Sequence, residues 1–195
     1  MYGRPSEPVT LRVHLYVDAK VDSSVVGSAR RVAEGLLSAA GVPTTWSIGK
    51  QARNAEASST RPDVVTILRS DGLRLGRDSS CGFAARGEHH VGGSVVVSVP
   101  CVAAFAFGLS RSENGRHPWL ATPRHDDLVG VVIAHEIAHI LGLRHASAGI
   151  MRSGLHVEDV LALRAGKLAF QQQEVPRLRI RLAAAHAHVI ALNSQ

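Results

Sequence analysis

Residues 135–145 read HEIAHILGLRH, and Met151 follows six residues later. Three histidines and one glutamate within this apolar stretch are unusual even in a chain that has 11 histidines. A lone His-Glu-x-x-His is weak evidence, but chance would place the longer pattern, with its glycine and third histidine, in roughly one such chain in ten thousand. The stretch therefore predicts a functional site.

The spacing of these residues fits a metal site on a helix. His135 and His139 are four residues apart, so both imidazoles project from one helix face, one turn apart. They can bind one zinc ion, and the Glu136 carboxylate, about 100° around the helix, flanks the ion without being a ligand. Gly142 can adopt the left-handed conformation that ends a helix, and the turn then brings His145 back as the third ligand. Three neutral imidazoles leave one coordination position open, which is typical of a catalytic zinc site.

This set of groups predicts hydrolysis of an amide bond. We expect one Zn²⁺ ion as the cofactor, a metal-activated water as the attacking group, and Glu136 as the general base that later protonates the leaving amine. The expected partner is a peptide or protein substrate. Two alternatives stay open, namely a zinc-binding protein of the same fold without peptidase activity and a hydrolase of a non-peptide amide or cell-wall substrate.

The composition limits the possible partners. Of the 195 residues 45% are hydrophobic and 19% are charged, which is typical of a folded globular protein. The net charge is +6, but the arginines are scattered apart from RLRIRL at 177–182, where no aromatic residue accompanies them. Nucleic acid is therefore not an expected partner, and docking of 177–182 on an anionic surface is a weaker alternative.

Neither the compartment nor the oligomeric state follows from the sequence. No apolar run reaches the roughly 18 residues that a membrane helix needs, and the first residues show no signal segment. Secretion with the signal removed and a cytoplasmic location are both open, and a monomer is favoured. Cys81 and Cys101 allow either one disulfide or two buried thiols.

Hydrophobic periodicity predicts an α/β (α+β) fold. Strands are expected at 9–17, 43–49, 63–70 and 94–102. Helices are expected at 24–40, at about 127–142, at 156–170 before Pro176, and at 178–189. Loops are expected at 51–62, 108–125 and most of 71–93. The adjacent pair His89–His90 is not expected to form a second metal site, because neighbouring strand residues point to opposite faces.

The motif resembles the signature of the metzincin clan of zinc peptidases, H-E-x-x-H-x-x-G-x-x-H followed by a methionine-containing turn. Residues 135–145 match it in full, and GIM at 149–151 looks like the Met-turn. By this resemblance Met151 is a supporting residue beneath the metal site and not a ligand. The resemblance implies a twisted mixed β-sheet with backing helices and an active-site helix, with a small C-terminal helical lobe across the cleft.

The same resemblance predicts two lobes and a substrate-binding strand. We expect an N-terminal lobe of residues 1–142 that ends with the active-site helix, and a C-terminal lobe of residues 143–195 with the Met-turn and a helix. In the clan, a strand at the upper rim of the cleft binds extended substrate by strand addition. Residues 94–99 (SVVVSV) are the candidate for that strand, with an interior core strand as the alternative.

The chain departs from the clan pattern after the third histidine. The link from His145 to Met151 is shorter than in most families of the clan, and it lacks the cysteines with which archaemetzincins attach a second zinc there. Some members use a tyrosine two residues after the methionine, where this chain has Ser153. The chain thus resembles a minimal member of uncertain family.

Overall fold

A computed structural model of the protein describes residues 9–49, 63–71, 80–87, 92–113 and 124–194. The strands are β1 (Leu11–Val17), β2 (Thr44–Gly49), β3 (Asp63–Arg69), β4 (Gly82–Arg86) and β5 (Gly93–Ser98). The helices are α1 (Ser23–Ala39), α2 (Val99–Glu113), α3 (His125–Ile140), α4 (Val157–Arg164) and α5 (Glu174–Asn193).

The five strands form one mixed sheet in the order β2-β1-β3-β5-β4. Strands β1, β2, β3 and β5 are parallel, whereas β4 runs antiparallel to β5. In β1 the alternate residues Leu11, Val13 and Leu15 are fully buried, while Arg12 and His14 between them are half-buried. The sheet and its helices confirm the predicted mixed α/β class.

Helix α3 lies in the middle of the protein, where α1, α2, β4 and β5 contact it. Most of its residues are buried, which explains why its sequence is apolar around nearly the whole helix. Helices α1 and α3 approach closely at Gly130, where a Cβ would lie 2.5 Å from the carbonyl oxygen of Ala29. This close contact sets the distance between α1 and α3 at this point.

The structure corrects the sequence prediction on one side of α3. Within residues 71–93, expected to be mostly loop, residues 82–86 form the unpredicted strand β4, and residues 72–79 and 88–91 lie outside the described part of the chain. The strand predicted at 94–102 ends at Ser98, and Pro100 lies in the first turn of α2, where its missing N–H leaves no hydrogen bond unmade. Since β5 lies between β3 and β4, residues 94–98 belong to an interior strand, the alternative to the predicted edge strand, and Val99 begins α2.

The C-terminal helices also differ from the prediction. The helix predicted at 156–170 is shorter and ends at Arg164, and Pro176 lies in the first turn of α5. In α5 the residues Leu178, Leu182, Ala185 and Val189 are buried, as their spacing predicts. No helix in the described part of the chain is both long enough and apolar enough to cross a membrane.

Candidate metal centre

The three histidines of the motif converge on one point. His135 and His139 project from the same face of α3, and their Nε2 atoms are 2.9 Å apart. The Nε2 atom of His145 lies 3.2 Å from that of His139. One ring nitrogen from each histidine lies within 4.8 Å of the other two. The three residues therefore form a compact group that could hold one metal ion.

The end of α3 brings His145 back to the two helical histidines. The N–H of Leu143 donates to the carbonyl of Ala138 at 2.9 Å, and the N–H of Gly142 donates to the carbonyl of His139 at 3.0 Å. These two bonds make a Schellman ending, which requires a left-handed residue at the position of Gly142. Its φ is indeed +91°. The chain reverses there, so a residue six positions after His139 can reach the same point.

Backbone carbonyls orient the two helical imidazoles. Nδ1 of His135 lies 2.7 Å from the carbonyl oxygen of Ile150, and Nδ1 of His139 lies 2.9 Å from that of Leu143. A carbonyl oxygen only accepts, so in each neutral ring Nδ1 carries the proton and donates it. The two Nε2 atoms are then left with lone pairs that face each other.

This arrangement fits a cation. Two nitrogen lone pairs facing each other at 2.9 Å repel, and neither can donate a hydrogen bond to the other. A metal ion between them removes that conflict, and tetrahedral zinc with ligand distances of about 2.0–2.1 Å places its nitrogens ~3.3 Å apart. Burial lowers the pKa of His135 to about 4 and also lowers the pKa of His139, so the neutral, metal-binding form prevails at neutral pH.

Met151 lies in a tight turn at 149–152, which is closed by a hydrogen bond from the N–H of Arg152 to the carbonyl of Gly149 at 3.1 Å. Its side chain is fully buried, and its carbonyl accepts from the N–H of Ala146 at 2.8 Å. The preceding residue, Ile150, supplies the carbonyl that orients His135. The turn thus fixes one imidazole directly, through a backbone atom that no side-chain motif in the sequence reveals.

Glu136 is the buried acid of the centre. Glu136 is 7% exposed, and burial raises the pKa of its carboxyl to about 7. It faces Gly82 of β4, where a Cβ would lie 2.6 Å from Oε1 and 2.9 Å from Cγ of Glu136. Only a residue without a side chain leaves space for the carboxylate at this point. A carboxyl with a pKa near neutrality is well suited to accept and return a proton.

The histidines and Glu136 open into a cleft of about 790 Å³. Strand β4 forms one wall, and the segment after Met151 forms another. The cleft lining combines the four motif side chains with apolar residues, two arginines and two serines, namely Ser80, Phe83, Arg86, Phe105, Val131, Val132, Ile150, Arg152, Ser153 and Leu155. A cleft of this size can admit several residues of an extended chain or a compact small molecule.

Strand β4 is the sheet edge beside the cleft. It pairs only with β5 in the described sheet, so the backbone groups on its outer side have no strand partner. A disulfide between Cys81 and Cys101 joins the start of β4 to α2. This bond settles the choice between a disulfide and two thiols. In the sequence, β4 is the short stretch GFAAR between Cys81 and Gly87. The many glycines near it led to the prediction of a loop there.

The structure brings the three histidines of the motif together, and Glu136 lines the same cleft. His135, Glu136 and His139 lie on α3, and Gly142 and His145 lie in the segment that follows it. Sequence reasoning missed Gly82 and Arg86 of β4, which lie against α3 from the neighbouring strand. The pair His89–His90 lies outside the described residues.

Comparison with known proteins identifies the fold. No protein-family model and no curated protein sequence matches the chain. Among solved structures, archaemetzincin from Methanopyrus kandleri superposes with a TM-score of 0.53 at 17% identity, over 92% of the chain and 98% of that protein. Metalloproteinase-II from Bacteroides fragilis superposes with a TM-score of 0.54 at 12% identity, over 91% of the chain.

The chain spans only 55% of the length of the Bacteroides metalloproteinase, whereas it spans nearly all of the archaemetzincin. At these identities the likeness concerns the path of the backbone. The protein therefore has the mixed α/β fold of these two proteins.

Proposed function

We propose that this protein is a zinc-dependent endopeptidase of metzincin type. The observation that carries the proposal is the convergence of three imidazoles, two of them with their Nδ1 protons committed to backbone carbonyls, beside a buried carboxylate in an open cleft. A closed structural zinc site would have four protein ligands, but the described residues here supply only three.

His135, His139 and His145 would hold the zinc ion, one ion per chain. When bound, zinc lowers the pKa of a water molecule and polarises a carbonyl group. The carbonyl oxygens of Ile150 and Leu143 keep the imidazoles in the tautomer that a metal requires. Met151 supports the turn that carries Ile150, which is the role of the Met-turn in the clan.

Glu136 acts as the general base and then as the general acid. Its carboxylate takes a proton from the attacking water and passes it to the amine that leaves. In the metal-free protein, burial raises the pKa of this carboxyl to about 7. No tyrosine follows the methionine, so backbone groups and the zinc site must stabilise the transition state without one.

The edge strand β4 is the proposed binding site for the substrate backbone. Its outer edge offers hydrogen-bond groups to an extended peptide, and it borders the cleft on the side of Glu136. This role replaces the one that the sequence prediction gave to residues 94–99. In the same proposal, residues 1–142 and 143–195 are the two lobes on either side of the cleft.

The test is the Glu136→Ala variant. We expect it to retain about one zinc per chain, because Glu136 is not a ligand, and to lose hydrolysis of unfolded protein substrates. Zinc is measured by elemental analysis and hydrolysis with a quenched fluorescent casein. The matched control is Glu34→Ala, which removes a half-buried acid of α1 whose ion pair among the described residues is with Arg30.

The outcomes separate the proposal from its rivals. Undiminished cleavage by Glu136→Ala would overturn the assignment of the base. A wild-type protein that binds zinc but cleaves no peptide in a broad library would favour the zinc-binding protein or the non-peptide hydrolase.

A further inference from the structure

Among the described residues of the cleft lining are two arginines, Arg86 and Arg152, and they differ in whether a carboxylate lies within ion-pair distance. Arg152 is neutralised, because a terminal nitrogen lies 3.1 Å from Oδ2 of the buried Asp159. Its Nε also donates to the carbonyl of Ser147 at 3.1 Å. Arg152 therefore ties the turn after His145 to helix α4, and little of its positive charge is left for a ligand.

Arg86 is held in place, and no carboxylate among the described residues neutralises it. Its Nε donates to the carbonyl of His139 at 2.9 Å, which fixes the guanidinium at the end of α3. No described carboxylate pairs with it, and the residue is exposed. Arginine has five N–H donors, so this single bond leaves the terminal nitrogens available to a bidentate acceptor.

A second arginine without an ion pair to any described carboxylate, Arg181, lies beside the first. Nε of Arg181 and a terminal nitrogen of Arg86 each lie 3.4 Å from the position that a Cβ would have on Gly142, so they are separated by at most twice that distance. Neighbouring Arg179 is used differently, because its Nε donates to the carbonyl of Ala40 at the end of α1. Two guanidinium groups this close repel unless an anion lies near them.

We propose that Arg86, with Arg181 behind it, binds a carboxylate of the substrate, so that the enzyme selects acidic peptides. The inference rests on the proposed function and adds its substrate class. The carboxylate belongs either to an aspartate or glutamate side chain or to the free C-terminus of the peptide.

The geometry of β4 supports this role. Gly82 and Arg86 lie on the same face of the strand, Gly82 beside Glu136 and Arg86 beside the carbonyl of His139. A peptide that pairs with the outer edge of β4 passes from the buried acid towards Arg86. Glu136 is the only carboxylate among the described residues of the cleft lining, so an acidic substrate meets little opposing charge there.

The experiment measures peptide binding directly, in a protein that cannot cleave. Fluorescein-labelled peptides bind to zinc-loaded Glu136→Gln protein, and fluorescence anisotropy gives Kd. One arm compares C-terminally amidated peptides with glutamate or glutamine at each position in turn. The other arm compares a free with an amidated C-terminus in a peptide without acidic side chains.

We expect one acidic position, or the free C-terminus, to tighten binding about tenfold over its neutral counterpart. Adding Arg86→Gln should reduce that ratio to about one, Arg86→Lys should retain part of it, and Arg181→Gln should lower it. The control is Arg177→Gln, which removes an exposed charge of α5 and should leave the ratio unchanged.

Equal Kd values for acidic and neutral peptides in both arms would overturn the inference, as would a preference that survives Arg86→Gln in folded protein. The cleavage assay with unmodified Glu136 keeps the two proposals apart. Cleavage without any acidic preference removes only this inference, whereas an acidic binding preference without cleavage removes only the peptidase assignment.

Discussion

Replacing Gly82 by alanine should slow hydrolysis by about a hundredfold while the protein keeps its metal. The new Cβ would lie 2.6 Å from Oε1 of Glu136 and 2.7 Å from Cγ1 of Val132, where ordinary contacts begin at 3.4 Å. The carboxylate would therefore have to move by about 0.8 Å, and a displacement of ~1 Å in a catalytic group can reduce the rate ~10²-fold. The histidines are not touched, so the zinc content should not change.

The assay separates misplacement from unfolding. Values of kcat and KM are measured on a fluorogenic peptide, zinc is measured by elemental analysis, and Tm is followed by circular dichroism. We expect kcat to fall with little change in KM, and overpacking to cost about 1–3 kcal/mol of stability. Gly154→Ala is the matched control, because Gly154 lines the same cleft but a Cβ there meets nothing within 4 Å.

A folded Gly82→Ala protein with full zinc and a kcat within about threefold of wild type would refute the reasoning. In that case the carboxylate of Glu136 either tolerates displacement or has no part in the chemistry. Loss of zinc together with activity would show instead that β4 positions the histidines.

Three further predictions concern stability. In metal-free protein, Glu136 has a pKa of about 7 against a reference of 4.5, so its contribution to the free energy of unfolding is full below pH 4.5 and is lost as the pH rises through 7. Glu136→Gln should remove a pH dependence of the unfolding free energy of roughly 3 kcal/mol between those limits. Parallel urea-unfolding profiles of the two proteins across this pH range would contradict the prediction. Asp159→Ala should lower the free energy of unfolding by about 2 kcal/mol, because the buried carboxylate accepts from the N–H of His156 at 2.9 Å and pairs with Arg152. The control Glu158→Ala, at a side chain that is 78% exposed, should lower it by less than about 0.5 kcal/mol. Equal losses for the two variants in urea unfolding would count against the pairing. The Cys81–Cys101 disulfide joins residues that are 20 positions apart, and its reduction should lower the free energy of unfolding by about 3 kcal/mol. Equal urea midpoints with and without dithiothreitol would show that the disulfide adds little stability.

The convergence of the three histidines could be predicted because they are close together in the sequence. His135, Glu136 and His139 are placed by one helix, and helical periodicity alone sets the faces on which they lie. His145 needs only a reversal after the helix, and Gly142 is the residue that permits it. The motif therefore encodes the relative positions of these groups before any tertiary contact is known.

The walls of the cleft could not be predicted in the same way. Strand β4 has only five residues within a glycine-rich stretch, and its identity as a strand depends on pairing with β5. The sequence assigned the edge to residues 94–99, because an apolar run next to a proline is typical of a strand terminus. In the structure the antiparallel β4 covers that run, and the proline begins a helix instead.

The sequence by itself determined the relative positions of the three histidines, of Glu136 and of Gly142, the residue at which the chain reverses before His145. All of these follow from the geometry of a single helix and its ending. Only the tertiary structure decided which strand forms the edge of the described sheet, which carbonyls orient the imidazoles, and which cleft arginine is left without a described carboxylate partner. Those features depend on contacts between segments far apart in the chain, such as Gly82 against Glu136 and Arg86 against His139. Pairing and packing set them, and neither is recorded in the local pattern of residues.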